Sequence, residues 1–270
     1  MGSSKQLTTN NQMANSAITL SHVSKVYANG TVALQDLNVV IHESQFVSLV
    51  GPSGCGKSTV LRLIAGLGRV TSGSIDWGIS QQARKLAFVF QDAALMPWAN
   101  VRENVRLPLK LTGMPRKDAI PLVQQTLALV GLEGFEKSYP RELSGGMKMR
   151  VSIARALVTQ PNILLMDEPF GALDEITRSK LNRDLLDLWY LHHWTVVFVT
   201  HNIYEAVYLS NRVLVMGTSP GRIVADVIID APHPRSEAFR MSSAYNEYCH
   251  KVAKHLAFAM GNPKNSILQF

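Results

Sequence analysis

Nine consecutive residues, Gly51-Pro52-Ser53-Gly54-Cys55-Gly56-Lys57-Ser58-Thr59, carry the clearest chemistry in the chain. They fit the pattern G-x-x-x-x-G-K-[ST], whose physical content is anion binding. Gly51, Gly54 and Gly56 permit backbone geometry closed to residues with a Cβ, so successive N–H groups turn inward toward phosphate oxygens. The apolar run Phe46–Val50 leads into the loop and Val60–Ala65 leaves it as a helix, so the positive end of a helix dipole adds to the field. Lys57 is placed to reach the β- and γ-phosphates of a nucleotide, and the Ser58 hydroxyl to ligate Mg²⁺. A second apolar run, Ile163–Met166, ends in the acids Asp167 and Glu168, followed by Pro169. Asp167 suits the Mg²⁺ shell, and Glu168, facing the terminal phosphate, suits a general base that polarises the attacking water. Leu143-Ser144-Gly145-Gly146-Met147 opens a helix with small residues, a second anion site by the same dipole argument. One chain has no need of two terminal-phosphate cradles unless two copies share each nucleotide. A head-to-tail pair, Gly51–Thr59 of one copy facing Ser144–Gly146 of the other, accounts for both.

Holding these groups takes an α/β framework. Ile18–Leu20 and Leu37–Ile41 alternate with period two around the turn residues Ala28-Asn29-Gly30, as in a sheet with one covered face. Phe46–Val50 is continuously apolar, as a central parallel strand buried on both sides must be. Ser74–Asp76 and Leu86–Phe90 add further strands. Between Gln91 and Pro161 strand signals stop, and helical spacing appears over Asp118–Val130 and Met147–Leu157. The α/β pattern resumes with a strand over Asn162–Met166, a helix over about Glu175–Leu191 and the strand Thr195–Val199. Arg212–Met216 and Arg222–Ile229 close the sheet. The expectation is one α/β domain over 17–230, with a mixed-sheet core and a helical subdomain inserted over about 92–160. A disordered tail over 1–16 precedes it and an extension over 231–270 follows. That extension carries one helix, about Ala244–Met260, with Tyr245, Tyr248, Val252, Leu256 and Ala259 on one face. It either docks on the domain or receives a partner.

Composition narrows the class. The chain has 270 residues, 46% of them hydrophobic, enough for one sizeable core. No apolar run approaches the roughly 18 residues that cross a bilayer. Met1–Ser16 is polar and lacks the apolar stretch of a secretory signal. Two cysteines, Cys55 and Cys249, make no disulfide framework and fit a reducing cytosol. The net charge of +7 raises nucleic acid or an anionic membrane face as partners, and ordinary solubility accounts for it equally. Basic residues are scattered without interleaved aromatics, so no nucleic-acid partner is expected.

Taken in order, these motifs resemble the ATP-binding subunit of an ABC transporter. The resemblance implies a P-loop NTPase fold, the ABC cassette, and adds roles that the residues alone do not state. Tyr27 matches the aromatic residue that stacks on adenine. Gln91, after Phe88-Val89-Phe90, matches the glutamine that senses Mg²⁺ and water and couples to membrane subunits. Ser144, Gly145 and Gly146 fall in the signature motif. Leu173-Asp174 matches the turn linking the two sites across a dimer, and His201 the switch histidine at the γ-phosphate. Narrower features are similar to the nitrate/sulfonate/taurine importer branch, which bicarbonate importers share. They are Met96-Pro97-Trp98, Met147-Lys148, Phe170–Asp174, Ser219–Ile223 and His233-Pro234-Arg235. Two positions depart from the family pattern: Met147, where Gln is commoner, and Met149, where a polar residue is usual. Neither removes a catalytic group.

The resemblance implies an ATPase on the cytoplasmic face of the membrane. It would dimerise around two ATP with Mg²⁺ and act with a second copy or a homologous ATPase subunit, two transmembrane permease subunits and a substrate-binding protein. The solute is not legible, since such a subunit touches no cargo. A soluble ABC ATPase acting on DNA or ribosomes would carry a coiled-coil insertion or a second cassette. An exporter often fuses the cassette to a membrane domain, and a non-hydrolysing sensor has no use for Glu168 and His201. Cys55 reads as a small filler within the loop, whose modification by a thiol reagent would block ATP.

Overall fold

In the N-terminal segment the period-two alternation resolves into a long antiparallel hairpin, β1 (Ser16–Val26) with β2 (Val32–His42). The computed structural model describes residues 15–218 and 220–260, so most of the expected tail, Ser219 and 261–270 lie outside the described residues. The chain then enters a second sheet through β3 (Phe46–Val50), forms α1 (Lys57–Ile64), and returns as β4 (Ser72–Trp77) to pair antiparallel with β1. Next come β5 (Leu86–Val89), the helices α2 (Val101–Leu111), α3 (Arg116–Leu129) and α4 (Gly145–Leu157), and β6 (Ile163–Asp167). They are followed by α5 (Glu175–His192), β7 (Thr195–Val199), α6 (Ile203–Leu209), β8 (Arg212–Gly217) and β9 (Arg222–Ile228). A short α7 (Glu237–Arg240) precedes the last helix, α8 (Ser243–Ala259).

The small sheet has the order β2-β1-β4 and the large one β5-β6-β7-β3-β8-β9. All neighbours in the large sheet are parallel except β8 and β9, so the core is a mixed sheet, as expected. Its central strands are apolar throughout because they face two cores. Phe46 and Val50, Leu164 and Met166, Val196 and Phe198, and Val213 and Val215 point into the core shared with α2–α6 and α8. The alternate residues Val47 and Leu49, Ile163 and Leu165, Val197 and Val199, and Leu214 and Met216 point into the core shared with the small sheet and α1. Each strand serves two layers, and a one-residue slip would exchange them. Ser48 is the polar exception, fully buried and bonded to Ser210 through hydroxyls 2.5 Å apart.

Helices α2 and α6 do not figure among the sequence expectations. Pro108 lies inside α2, where it masks the helical pattern, and α6 is too short to show one. Between β5 and β6 no strand occurs among the described residues. Helix α8 docks on the large sheet and α6. Tyr245, Cys249 and Val252 are buried there, with Tyr248, Leu256 and Ala259 packed behind them, so the apolar face is a docking face.

Candidate active site

Sheet order gathers the chemistry. Strands β6, β7 and β3 are neighbours, and at their carboxyl ends lie the acids, the histidine and the phosphate loop, the edge where α/β sheets bind ligands. The loop after β3 is constrained sterically at Gly51 and Gly56 and conformationally at Gly54 and Gly56. A Cβ on Gly51 would come within 2.7 Å of Cys55 Sγ and 2.8 Å of the Met216 carbonyl, so close packing excludes it. Gly56 caps α1 with φ of 97°, in the left-handed region that glycine enters freely, and a Cβ there would meet Leu34 Cδ2 at 2.6 Å. With Gly56 as cap, α1 begins at Lys57, and its first N–H groups turn toward the loop. Lys57 is buried, its Nζ donating to the carbonyls of Gly51 at 2.8 Å and Pro52 at 2.9 Å. The ammonium is thus held inside the loop. Ser53 and Gly54 lie at the exposed tip, while Cys55 is 1% exposed with its thiol pushed up by burial.

The Ser58 hydroxyl donates to Asp167 Oδ1 at 2.9 Å, joining the loop to the end of β6. Burial pushes the Asp167 carboxyl above the ordinary carboxylate range. The Ser58 bond opposes this, the Glu168 charge adds to it, and Arg62 and Lys57 oppose it. A neighbouring cation would reverse that shift. A hydroxyl and a carboxylate converging there form a hard-oxygen donor set. Glu168 is a non-glycine residue with φ of 45°, a strained conformation. It is fixed by its N–H donating to Val199 O at 2.9 Å and by its carbonyl accepting from Gly171 N at 3.2 Å. Across the strand boundary, His201 Nδ1 lies 2.9 Å from Glu168 Oε2 and donates to it when that nitrogen carries the proton. The structure therefore brings Glu168 and His201 together.

Tyr27 follows β1 and sits beside α1, its hydroxyl 3.1 Å from Thr59 Oγ1, and the residue is 41% exposed. Gln91 is exposed, two residues past Val89, whose β6 partner Met166 is two residues before Glu168. Ser144 caps α4, its Oγ accepting from Met147 N at 3.2 Å, and Asp174 caps α5 likewise, accepting from Thr177 N at 2.9 Å. These two helix starts adjoin: Leu173 lies against Gly145, and a Cβ on Gly146 would meet Thr177 Cγ2 at 2.6 Å. The hydrogen bonds described for Ser144–Gly146 stay within α4, and none reaches the phosphate loop of the same chain.

Several positioning residues escape the sequence reading. Arg155, on α4, donates to the carbonyls of Ala94 at 2.8 Å and Ala93 at 2.7 Å, so the helix that starts at Ser144 also holds the loop after Gln91. Asn104, fully buried on α2, accepts from Met96 N at 2.8 Å and donates to the carbonyls of Met96, Ala99 and Asn100. That fixes the Met96–Asn100 loop, at whose tip Trp98 is 77% exposed. An Asn-x-x-Glu pattern, Asn100 to Glu103, marks the start of α2 and was the available signal.

The sequence profile of the ABC transporter family matches residues 34–171. An aliphatic sulfonates import ATP-binding protein of Bacillus cereus is 43% identical over 247 residues, covering 89% of this chain and 96% of its own length. The chain belongs to the ABC transporter family. It is an ATP-binding cassette ATPase, and solved cassettes share its fold. A bacterial ABC transporter cassette, known as a dimer and in a post-hydrolysis state with ADP and Pi, is 33% identical. It superposes with a TM-score of 0.69, covering 80% of this chain and all of that one. A component of an ABC transporter complex from Clostridium perfringens reaches a TM-score of 0.74 at 25% identity, covering 89% of this cassette and 95% of its own chain. Among the described residues no helix of the cassette is long and apolar enough to cross a membrane.

Proposed function

We propose that this cassette is the ATP-hydrolysing subunit of an importer for a small anion, with a sulfonate first among nitrate, taurine and bicarbonate as alternatives. Two copies would close around two ATP, each nucleotide between Gly51–Thr59 of one copy and Ser144–Gly146 of the other. The adjacency of Gly145 to Leu173, beside Asp174, supports this by putting two interface elements on one surface. Loop N–H groups and Lys57 hold the phosphates, and the ring of the half-exposed Tyr27 offers a stacking face for adenine. Glu168 takes a proton from the attacking water, while His201 orients that carboxylate and meets the γ-phosphate. The observation that carries the reading is the contact of 2.9 Å between His201 Nδ1 and Glu168 Oε2 beside the phosphate loop.

Ser58 and Asp167 suit Mg²⁺, with Gln91 at the site's edge. Among the described residues no cluster of three or more His, Cys, Asp or Glu could hold a metal alone, so phosphate oxygens and water would complete the shell. When bound, Mg²⁺ would neutralise phosphate charge. The helical insertion over about 92–160 is the coupling unit. Its rigid Met96–Asn100 loop, with exposed Trp98, would meet two transmembrane permease subunits on the cytoplasmic face, and a substrate-binding protein would deliver the solute. The names of the relatives support the sulfonate choice.

Glu168→Gln tests the chemistry. It should bind ATP, lose turnover by at least about a hundredfold, and accumulate as an ATP-bound dimer on size exclusion. Substantial residual hydrolysis would rule out the general-base assignment. Co-purification with the full-length chain should return a permease and a binding protein, and a binding protein with no affinity for small anions would overturn the solute class.

A further inference from the structure

Behind His201 lies a buried polar cluster that the hydrolytic steps above leave unused. Thr200, the residue before His201, is 3% exposed, and its Oγ1 donates to Glu205 Oε2 at 2.5 Å. The same oxygen accepts from Asn202 N at 3.0 Å, so one hydroxyl ties the chain on both sides of His201. Glu205 is itself buried in α6. Burial pushes its carboxyl up, while Thr200, Asn182, and the charges of Arg178 and His201 favour the carboxylate. Asn182 and Arg178 stand on α5. Arg178 Nη2 donates to the carbonyl of Leu173 at 3.1 Å, immediately before Asp174. Three atoms of the cluster, Glu205 Oε1, Asn182 Oδ1 and Arg178 Nε, are buried with no hydrogen-bond partner. Orphaned acceptors and an orphaned donor in one cluster leave hydrogen-bonding capacity that a different pairing could satisfy.

We propose that Glu205 is a positioning residue that holds His201 through Thr200 and, through Arg178, ties that hold to the Leu173–Asp174 turn. The inference rests on the assignment of Glu168 and His201 to ATP hydrolysis. Its physical content is a choice between two pairings. With Arg178 on the Leu173 carbonyl and beside Glu175, the Glu205 carboxylate is held by Thr200 and Asn182 and Oε1 has no partner. With Arg178 Nε on Glu205 Oε1, the carboxylate is clamped from both sides and the Thr200–His201 peptide is fixed more tightly. A displacement of Leu173–Asp174 as a second copy docks would exchange the first pairing for the second. His201 would then be aligned on Glu168 only when both nucleotides are enclosed.

The test uses the full-length chain, with phosphate release measured under single turnover and nucleotide affinity measured separately. Glu205→Gln keeps the shape and removes the charge; it should lower the hydrolysis rate about tenfold with ATP affinity within about twofold of wild type. Thr200→Val should match it and Thr200→Ser should stay within about twofold of wild type. In a His201→Ala background, Glu205→Gln should cause no further loss, because it acts through the histidine. Additive losses in that background, or a Thr200→Ser variant as slow as Thr200→Val, would overturn the proposal. If Glu205→Gln does not fold, the Thr200 pair measured with and without His201→Ala decides in the same way. A Glu168→Gln variant that still turns over ATP removes the reading on which this rests, whereas an inactive one combined with additive losses removes the positioning role alone.

Discussion

Arg235→Ala should cost this cassette more stability than most single truncations, and the geometry says why. Arg235 is 4% exposed. Its Nη1 donates to the carbonyls of Val207, Tyr208 and Ser210, each at 2.9 Å, and its Nη2 more weakly to Ile229 at 3.3 Å and Ala231 at 3.4 Å. Val207 and Tyr208 lie in the last turn of α6, where the helix has run out of N–H groups to cover its carbonyls and a cation is favoured. Burial lowers the guanidinium pKa to about 10, which still leaves it charged at neutral pH. In return, the Arg235 carbonyl accepts from Tyr208 Oη at 3.0 Å. Truncation strands three carbonyls that share the two Nη1 hydrogens. Each unsatisfied buried acceptor costs about 1–3 kcal/mol. Since relaxation and water recover part of the sum over three carbonyls, the expected loss is about 4 kcal/mol. At about 2–4 °C per kcal/mol for a chain of this size, Tm should fall by roughly 10 °C. Arg235→Lys keeps the charge but not the fork, and should recover about half of the loss. Urea unfolding of the full chain at constant m gives the free energy, and scanning calorimetry gives Tm. An Arg235→Ala variant within about 0.5 kcal/mol of wild type would refute the reasoning, because it would mean that water satisfies these carbonyls as well as arginine does.

Other perturbations have equally definite outcomes. Gly146→Ala brings a Cβ to 2.6 Å from Thr177 Cγ2, an overpacking worth about 1–3 kcal/mol. Thr177→Ala in the same chain should relieve the loss in unfolding measurements, and a double variant no more stable than Gly146→Ala would show that the clash is not the cause. In a Cys249→Ser background, N-ethylmaleimide should label the buried Cys55 slowly, labelling should abolish ATP binding, and prior ATP should protect. Labelled chain with full nucleotide affinity would contradict the placement of Cys55 inside the loop. His233 packs against the Trp189 ring, 4.8 Å between centroids, and burial, with the Arg235 charge, lowers its pKa from 6.5 to about 4. A base with a depressed folded pKa is protonated first in the unfolded chain, so its contribution is present above pH 6.5 and is lost as the pH falls toward 4. Allowing for its partial exposure, the loss should be about 1–2 kcal/mol, and His233→Gln should flatten that part of the stability–pH curve. An unchanged curve would show that His233 is solvated in the native state.

The parts of this cassette legible in the sequence share a physical property: their chemistry demands a residue type at a fixed offset from a backbone feature. Phosphate-loop glycines, the acids Asp167 and Glu168 after Ile163–Met166 and the histidine two residues beyond Val199 are of this kind. The strands that carry them are legible too, because burial on both faces leaves no room for polar residues. Helices α2 and α6 failed the periodicity test, yet both open with the same cap, Asn100 to Glu103 and Asn202 to Glu205, in which the asparagine accepts from the backbone of the glutamate. Reading caps before periodicity would have found them. The residues that orient the site are a different matter. Arg155 holds Ala93 and Ala94 from 62 and 61 positions away, and Arg235 holds the end of α6 from 25 to 28 positions away. Their partners are backbone carbonyls, which nearly every residue presents identically, so no pairing of residue types betrays them. What distinguishes such an arginine is burial, a property of the fold rather than of its neighbours in sequence. The candidate site groups of a cassette can therefore be read from its motifs, but the arginines that hold its loops and helix ends become visible only in three dimensions.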